Sequence, residues 1–306
     1  MDSGNTIEMA DEACNRLLDV VSARMEDVLQ SCGAEQVHGL RVAIRRFNQS
    51  LHSFDFRFSP HTLKKIKKRL KKMMRLAGLV RNLDVAIKFA HKWKLPDQDE
   101  LPAHRHEAGH KLTRSLEQLV ERGWAAHCRE QLQVETPELI AGSVQDHARE
   151  LLTAMAADFF NHGNEAATPN ATSNQMHGFR ISAKKFRYTM ELFAPAYGPV
   201  LNARIEQVRR LQTILGEGND CVTLRGILLG HESGNRLRQR QHRKIAEFRK
   251  QWKSQFGGAS IGRQWVEDLA LLSIRKGPQK ERQCRRADIG MRTFAQGRRR
   301  HAAGGG

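Results

Sequence analysis

The sequence predicts an all-α fold built from two similar helical bundles. Apolar residues recur at three- and four-residue spacings almost throughout. Only 8 prolines and few runs of β-branched and aromatic residues leave little material for a β fold. One basic segment is echoed later in the chain at a constant offset of 139 residues. The periodicity places helices near 5–31, 35–57, 61–78, 82–95, 104–134, 137–162, 175–194, 200–216, 219–230, 233–256 and 260–275.

Turn-forming residues set the boundaries between these helices. Gly33 separates the first two, and Pro60 opens the third. Pro96 and Pro102 bound the connection before 104–134, a helix expected to break at Gly123. Pro137 opens the next helix. The small, polar run GNEAATPNATSN at 163–174 reads as an exposed connection. Pro195 and Pro199 lie between the helices at 175–194 and 200–216, and Gly216-Glu217-Gly218 reads as a helix stop and restart. From Gly277 the chain is basic and poor in apolar residues, so a disordered tail is expected over 276–306, after halves at about 1–135 and 136–275.

The 306 residues carry 51 Lys+Arg against 33 Asp+Glu, a formal +18, which points to a polyanionic partner. Nucleic acid, an anionic membrane surface and a phosphate polymer all qualify at this level. Hydrophobic residues make up 40 %, enough for sizeable cores. No apolar run reaches the ~18 residues that read as a membrane span. The 5 cysteines are odd in number and form no C-x-x-C pair, which fits reduced thiols rather than a disulfide framework or zinc ribbon. Asp2, Glu8, Asp11, Glu12 and Asp19 make the first thirty residues unlike a secretory signal, so a cytoplasmic location is expected.

The echo carries the functional signal. HGLRVAIRRFNQSLHSF at 38–54 matches HGFRISAKKFRYTMELF at 177–193. His38 aligns with His177, Arg41 with Arg180, Arg45-Arg46 with Lys184-Lys185, Phe47 with Phe186 and Phe54 with Phe193. A second echo has an offset of 138: Lys71-Lys72 align with Arg209-Arg210, Gly78 with Gly216 and Asn82 with Asp220. Two ordered echoes imply a duplicated unit and an approximate twofold relation between its copies. On a helix, His38, Arg41, Arg45 and His52 fall within about 60° of each other, opposite Leu40, Ala43, Ile44, Phe47, Leu51 and Phe54. Lys64, Lys68, Lys71 and Arg75 line one face of the next helix. From Lys64 to Arg81 there are nine Lys/Arg and no acid. Like charges at this spacing destabilise an isolated helix by roughly 0.2–0.5 kcal/mol per pair, which points to an absent polyanion. His38 and His177 read equally as packed or capping histidines and as donors to an anion.

At these residues the sequence resembles the CHAD family of histidine-containing α-helical domains. The resemblance rests on H-x-x-R-V-x-x-R-R at His38–Arg46 and L-x-G-x-x-R-N-x-D-V through Gly78–Val85. It continues with H-x-x-R-I-x-x-K-K-x-R-Y at His177–Tyr188 and L-Q-x-x-L-G-x-x-x-D through Leu211–Asp220. The resemblance spans roughly 5–275. It implies two pseudo-symmetric four-helix bundles with a basic groove or channel between them that binds inorganic polyphosphate. It assigns the anion site to His38, Arg41, Arg45, Arg46, Lys64, Lys68, Lys71, Arg75, His177, Arg180, Lys184, Lys185, Arg187, Arg209 and Arg210. Asp84 and Asp220 are expected as helix caps or intersubunit partners of these cations. Asn82 stands where the family usually has Asp.

The resulting expectation is a non-enzymatic polyphosphate binder with no cofactor. Its role would be that of a scaffold or targeting element at polyphosphate granules in the cytoplasm. A basic RNA- or DNA-binding protein and an accessory subunit of a phosphoanion hydrolase are the alternatives. Single-stranded nucleic acid calls for exposed aromatic platforms, and the chain has just 2 Tyr and 4 Trp. His106-Glu107-Ala108-Gly109-His110 fits the zinc pattern H-E-x-x-H, but Gly109 and upstream Pro102 weaken the helix that pattern needs. No P-loop, dinucleotide-binding glycine pattern, G-x-S-x-G elbow or Cys-His nucleophile signature occurs.

Overall fold

A computed structural model describes residues 4–95, 100–133, 144–197, 199–228 and 231–271, and no strand occurs among them. Helices α1 (Gly4–Gln30), α2 (Ala34–Ser53), α3 (Pro60–Trp93), α4 (Glu100–Glu121) and α5 (Trp124–Leu132) form the first half. Helices α6 (Val144–Ala167), α7 (Ser173–Tyr197), α8 (Pro199–Arg225), α9 (His231–Gln255) and α10 (Ala259–Leu271) form the second.

Local chemistry explains the ends. Ser59 caps α3 by accepting from the Thr62 amide at 3.1 Å, and Pro60 occupies the first turn. Lys94, at φ 51°, closes α3 in the left-handed region. Thr172 and Gln175 form a capping box before α7: the Gln175 amide donates to Thr172 Oγ1, and the Thr172 amide donates to Gln175 Oε1. Gly123, at φ 60°, makes the expected break between α4 and α5.

The structure corrects four sequence-based boundaries. The helices expected at 61–78 and 82–95 are one helix, α3, and those at 200–216 and 219–230 form α8 up to Arg225. The glycines in these runs do not end helices. A Cβ on Gly78 would lie 2.9 Å from Arg41 Nη1, so this glycine lets Arg41 approach α3. Gly216 and Gly218 sit within α8, where packing outweighs the roughly 1 kcal/mol a helical glycine costs. Helix α2 stops at Ser53 and is followed by a 3₁₀ turn at Asp55–Arg57. Helix α6 continues to Ala167, which shortens the expected 163–174 connection. The expected helix start near Pro137 and the tail from Gly277 lie outside the described residues.

Packing follows the same order in each half. Helix α1 packs on α2, α2 on α3 and α3 on α4; likewise α6 packs on α7, α7 on α8 and α8 on α9. Helix α5 lies against α1 and α4, and α10 lies against α6. The halves meet where α2 touches α7 and α3 touches α8. Along the α2–α7 seam, the Phe54 and Phe193 rings are 5.8 Å apart, and Gln49 Nε2 donates to Thr189 Oγ1 at 3.0 Å. Both pairs advance in the same direction along the two helices, so α2 and α7 run in parallel.

The two cores differ in chemistry. Leu18, Val21, Met25, Leu40, Ile44, Leu70, Met73 and Leu116 make the first mostly aliphatic. Phe159, Phe179, Phe186, Phe248, Trp252 and Phe256 make the second aromatic, with Trp252 stacked on Phe256 at 5.1 Å. Trp252 rests against the bare backbone of Gly163, and a Cβ there would overlap the indole. Gly163→Ala is therefore expected to destabilise the fold by about 2 kcal/mol. A lower urea midpoint at unchanged denaturant slope would register this.

Candidate anion-binding site

The seam between the halves is polar and cationic beyond its phenylalanine end. The α2 stripe brings His38, Arg41 and Arg45 to it, because the opposite face of α2 is occupied by buried Leu40, Ile44, Phe47 and Leu51. Helix α7 brings Arg180 and Lys184 by the same logic, with Phe179, Ala183 and Phe186 buried behind them. Helix α3 adds Arg81, and α8 adds Asp220. Arg41 Nη1 donates to the Met74 carbonyl at 3.2 Å, across the backbone that Gly78 leaves bare.

These groups shift one another. Burial, then Arg45, Arg81 and Arg180, push the Arg41 guanidinium down to about 10, against the pull of Asp220. Burial, then Arg180, Arg45 and Arg41, push the Lys184 ammonium down to about 7. Arg180 moves down for the same reasons, burial first and Arg45 next, and its Nε is buried without a hydrogen-bond partner. Burial raises the Asp220 carboxyl, while Arg81, Arg180 and Lys184 oppose that rise. His38 is lowered by burial and by Arg81, with Glu35 opposing. His52 is lowered by burial and by Lys185. A cationic cluster of this kind is held together by the fold against its own repulsion, and a bound anion would relieve it.

Two cavities flank the cluster. A groove of about 450 Å³ between α2, α3 and α7 is lined by Arg45, Lys67, Lys71, Lys184 and Lys185 over a floor that includes Ile44 and Leu70. A second, of about 330 Å³ between α7, α8 and α9, is lined by His177, Arg180, Arg225 and Lys244 among apolar side chains.

The residues singled out in the sequence therefore divide into three groups. His38, Arg41, Arg45, Arg180 and Lys184 share the seam, Lys71 and Lys185 line the first groove, and His177 lies in the second. Lys64, Lys68 and Arg75 are exposed on α3. The remaining four are engaged with carboxylates. Arg46, Arg187 and Arg209 converge on Glu191 at 3.1, 2.6 and 3.5 Å, tying α2, α7 and α8 together. Arg187 also donates to Gln212 Oε1 at 2.6 Å, and Arg210 faces Glu206 at 3.6 Å.

Asp84 and Asp220 sit in mid-helix, so neither is a cap; Asp84 pairs with Arg105 of α4 at 2.9 Å. Asp220 does lie among the site cations. The sequence reading missed Lys67, Arg81, Arg225 and Lys244 as site residues. The R-N-x-D motif already contained Arg81, and the basic run already contained Lys67. Arg225 and Lys244 belong to no motif. The rings of His106 and His110 pack edge to face at 4.4 Å, and Glu107 is bonded to Lys111. No group of three metal-ligating side chains occurs among the described residues.

Comparison with known proteins places the fold. The sequence profile of the CHAD domain matches residues 12–229. The CHAD domain from the plant Ricinus communis superposes with a TM-score of 0.58 at 18 % identity, over 88 % of this chain and 94 % of that one. PptA from Streptomyces chartreusis superposes with a TM-score of 0.52 at 15 % identity, over 87 % of this chain and 99 % of that one. At such identities the likeness is one of fold. No curated protein matches the chain.

Proposed function

The chain belongs to the CHAD domain family, and from that premise we propose that it binds inorganic polyphosphate without turning it over. It serves as a scaffold or targeting element at polyphosphate-rich bodies in the cytoplasm. The observation that carries this reading is the seam itself: Arg41, Arg45, Arg81, Arg180 and Lys184 gathered from three helices around one carboxylate, Asp220. Polyphosphate has about one charge per phosphate and no bases, so a surface of Lys, Arg and His donors suffices to hold it.

The aromatic residues favour this ligand over nucleic acid. Both tyrosines are buried, as are Trp124, Trp252 and Trp265, and no aromatic side chain is among the large apolar residues exposed in the described region. Stacking platforms of the kind single strands use are therefore missing there. No described helix is long and apolar enough to cross a membrane.

A competition titration tests the reading. Long-chain polyphosphate is expected to displace a bound oligonucleotide at a lower phosphate concentration than the oligonucleotide needs to displace polyphosphate. Its log affinity should fall linearly with log salt. Preference for the oligonucleotide at equal ionic strength would overturn the proposal, and phosphate release in the presence of Mg²⁺ would overturn its non-enzymatic part.

A further inference from the structure

A third basic cavity lies on the far side of α3 from the seam. It measures about 160 Å³, sits between α3, α4 and α5, and is lined by Arg69, Lys72, Arg122, His127, Ser115 and Trp124, among others. Arg69, Lys72 and Arg122 are exposed, and none of the three forms an ion pair with a described residue. His127 faces Glu130 at 3.6 Å and Gln131 at 3.1 Å. Ser115 is only 8 % exposed, and its hydroxyl forms no hydrogen bond with a described residue. The first turn of α5 opens here behind Gly123 with no side-chain cap. Three cations without an ion-pair partner among the described residues, the Ser115 hydroxyl and the uncapped start of α5 around a small hollow match the donor set of a phosphate-type oxyanion.

Helix α3 connects this cavity to the groove. Lys67 and Lys71 line the groove, whereas Arg69 and Lys72 line the cavity. At about 100° per residue, Lys67 and Arg69 lie roughly 200° apart around α3. Lys64, Lys68 and Arg75 occupy the interval between them, and all three are exposed. The path over the helix is about 20 Å for a cylinder of 10–12 Å diameter. We propose that the α3–α4–α5 cavity is a second phosphate site, reached by the same polyphosphate chain after it leaves the α2–α3–α7 groove and crosses α3. This inference rests on the polyphosphate reading and adds chain-length selection to it. A short oligophosphate fills one site, whereas a long chain engages both, with the second contact made at high effective concentration.

The test compares tripolyphosphate with long-chain polyphosphate on the full chain and on Arg69→Gln/Lys72→Gln/Arg122→Gln. The triple variant is expected to bind tripolyphosphate within twofold of wild type and the long chain at least tenfold more weakly. Its salt slope for the long chain should be shallower by about 2, from three lost contacts at about 0.7 each. Lys72→Gln/Arg122→Gln should show a smaller change in the same direction, and retained far-UV ellipticity checks folding. Unchanged long-chain affinity and slope, or equal losses for both ligands, would overturn the second site. Failure of the wild type to bind either polyphosphate would instead overturn the proposed function.

Discussion

The combined substitution Arg41→Gln/Arg45→Gln/Arg180→Gln/Lys184→Gln is expected to lower polyphosphate affinity at least a hundredfold while the helical far-UV signal persists. Hydrogen bonds to charged groups contribute about 1.5–3 kcal/mol each, so losing four exceeds the 2.7 kcal/mol or so that a hundredfold represents. The fold should survive because these side chains do not form the apolar cores. They sit opposite Leu40, Ile44, Phe47, Phe179 and Phe186 on their helices. Removing like charges from a crowded seam also relieves repulsion. Titration calorimetry at low salt reads the affinity, and a variant within threefold of wild type would show that the seam is not where the anion binds.

Lys184→Met is expected to raise stability and weaken binding together. The Lys184 ammonium titrates near 7 in the folded chain, against an ordinary value of 10.5, chiefly through burial. The unfolded chain therefore holds more protons on this group between those values, and the stability it contributes rises with pH across that window. Below about 7 the folded state carries the full penalty. Methionine keeps the apolar stem and removes the charge. At pH 7 the gain should be on the order of 2 kcal/mol, discounted for the side chain's partial exposure. It should shrink as the pH approaches 10.5. Urea midpoints across that range decide the matter, and a variant less stable than wild type at every pH would refute the account. An anion in the groove favours the charged ammonium, so binding near neutral pH should draw a proton from the buffer.

The fold class was legible because the three- and four-residue apolar spacing recurs almost throughout, and the CHAD motifs lie on the helices that meet at the seam. Helix ends were less legible. Gly78, Gly216 and Gly218 carry the signature of a stop, yet they lie inside α3 and α8. At Gly78 the partner helix reveals why, since Arg41 occupies the space a Cβ would take. The cationic stripe of α2 was likewise visible from helix geometry. What one helix cannot disclose is which cations find a carboxylate. Arg46 and Arg187 look like their neighbours in the sequence, but they turn toward Glu191. Lys244 of α9, which joins the second cavity, lies in neither repeated segment.

The parallel course of α2 and α7 bears on what kind of thread the seam suits. Arg41 and Arg45 on one helix stand near Arg180 and Lys184 on the other, which are their counterparts in the echo. A molecule laid across the two helices meets comparable charges whichever end leads. Linear polyphosphate reads the same in both directions, so either orientation satisfies it; a nucleic acid strand, whose 5′ and 3′ ends differ, gains nothing from such evenness.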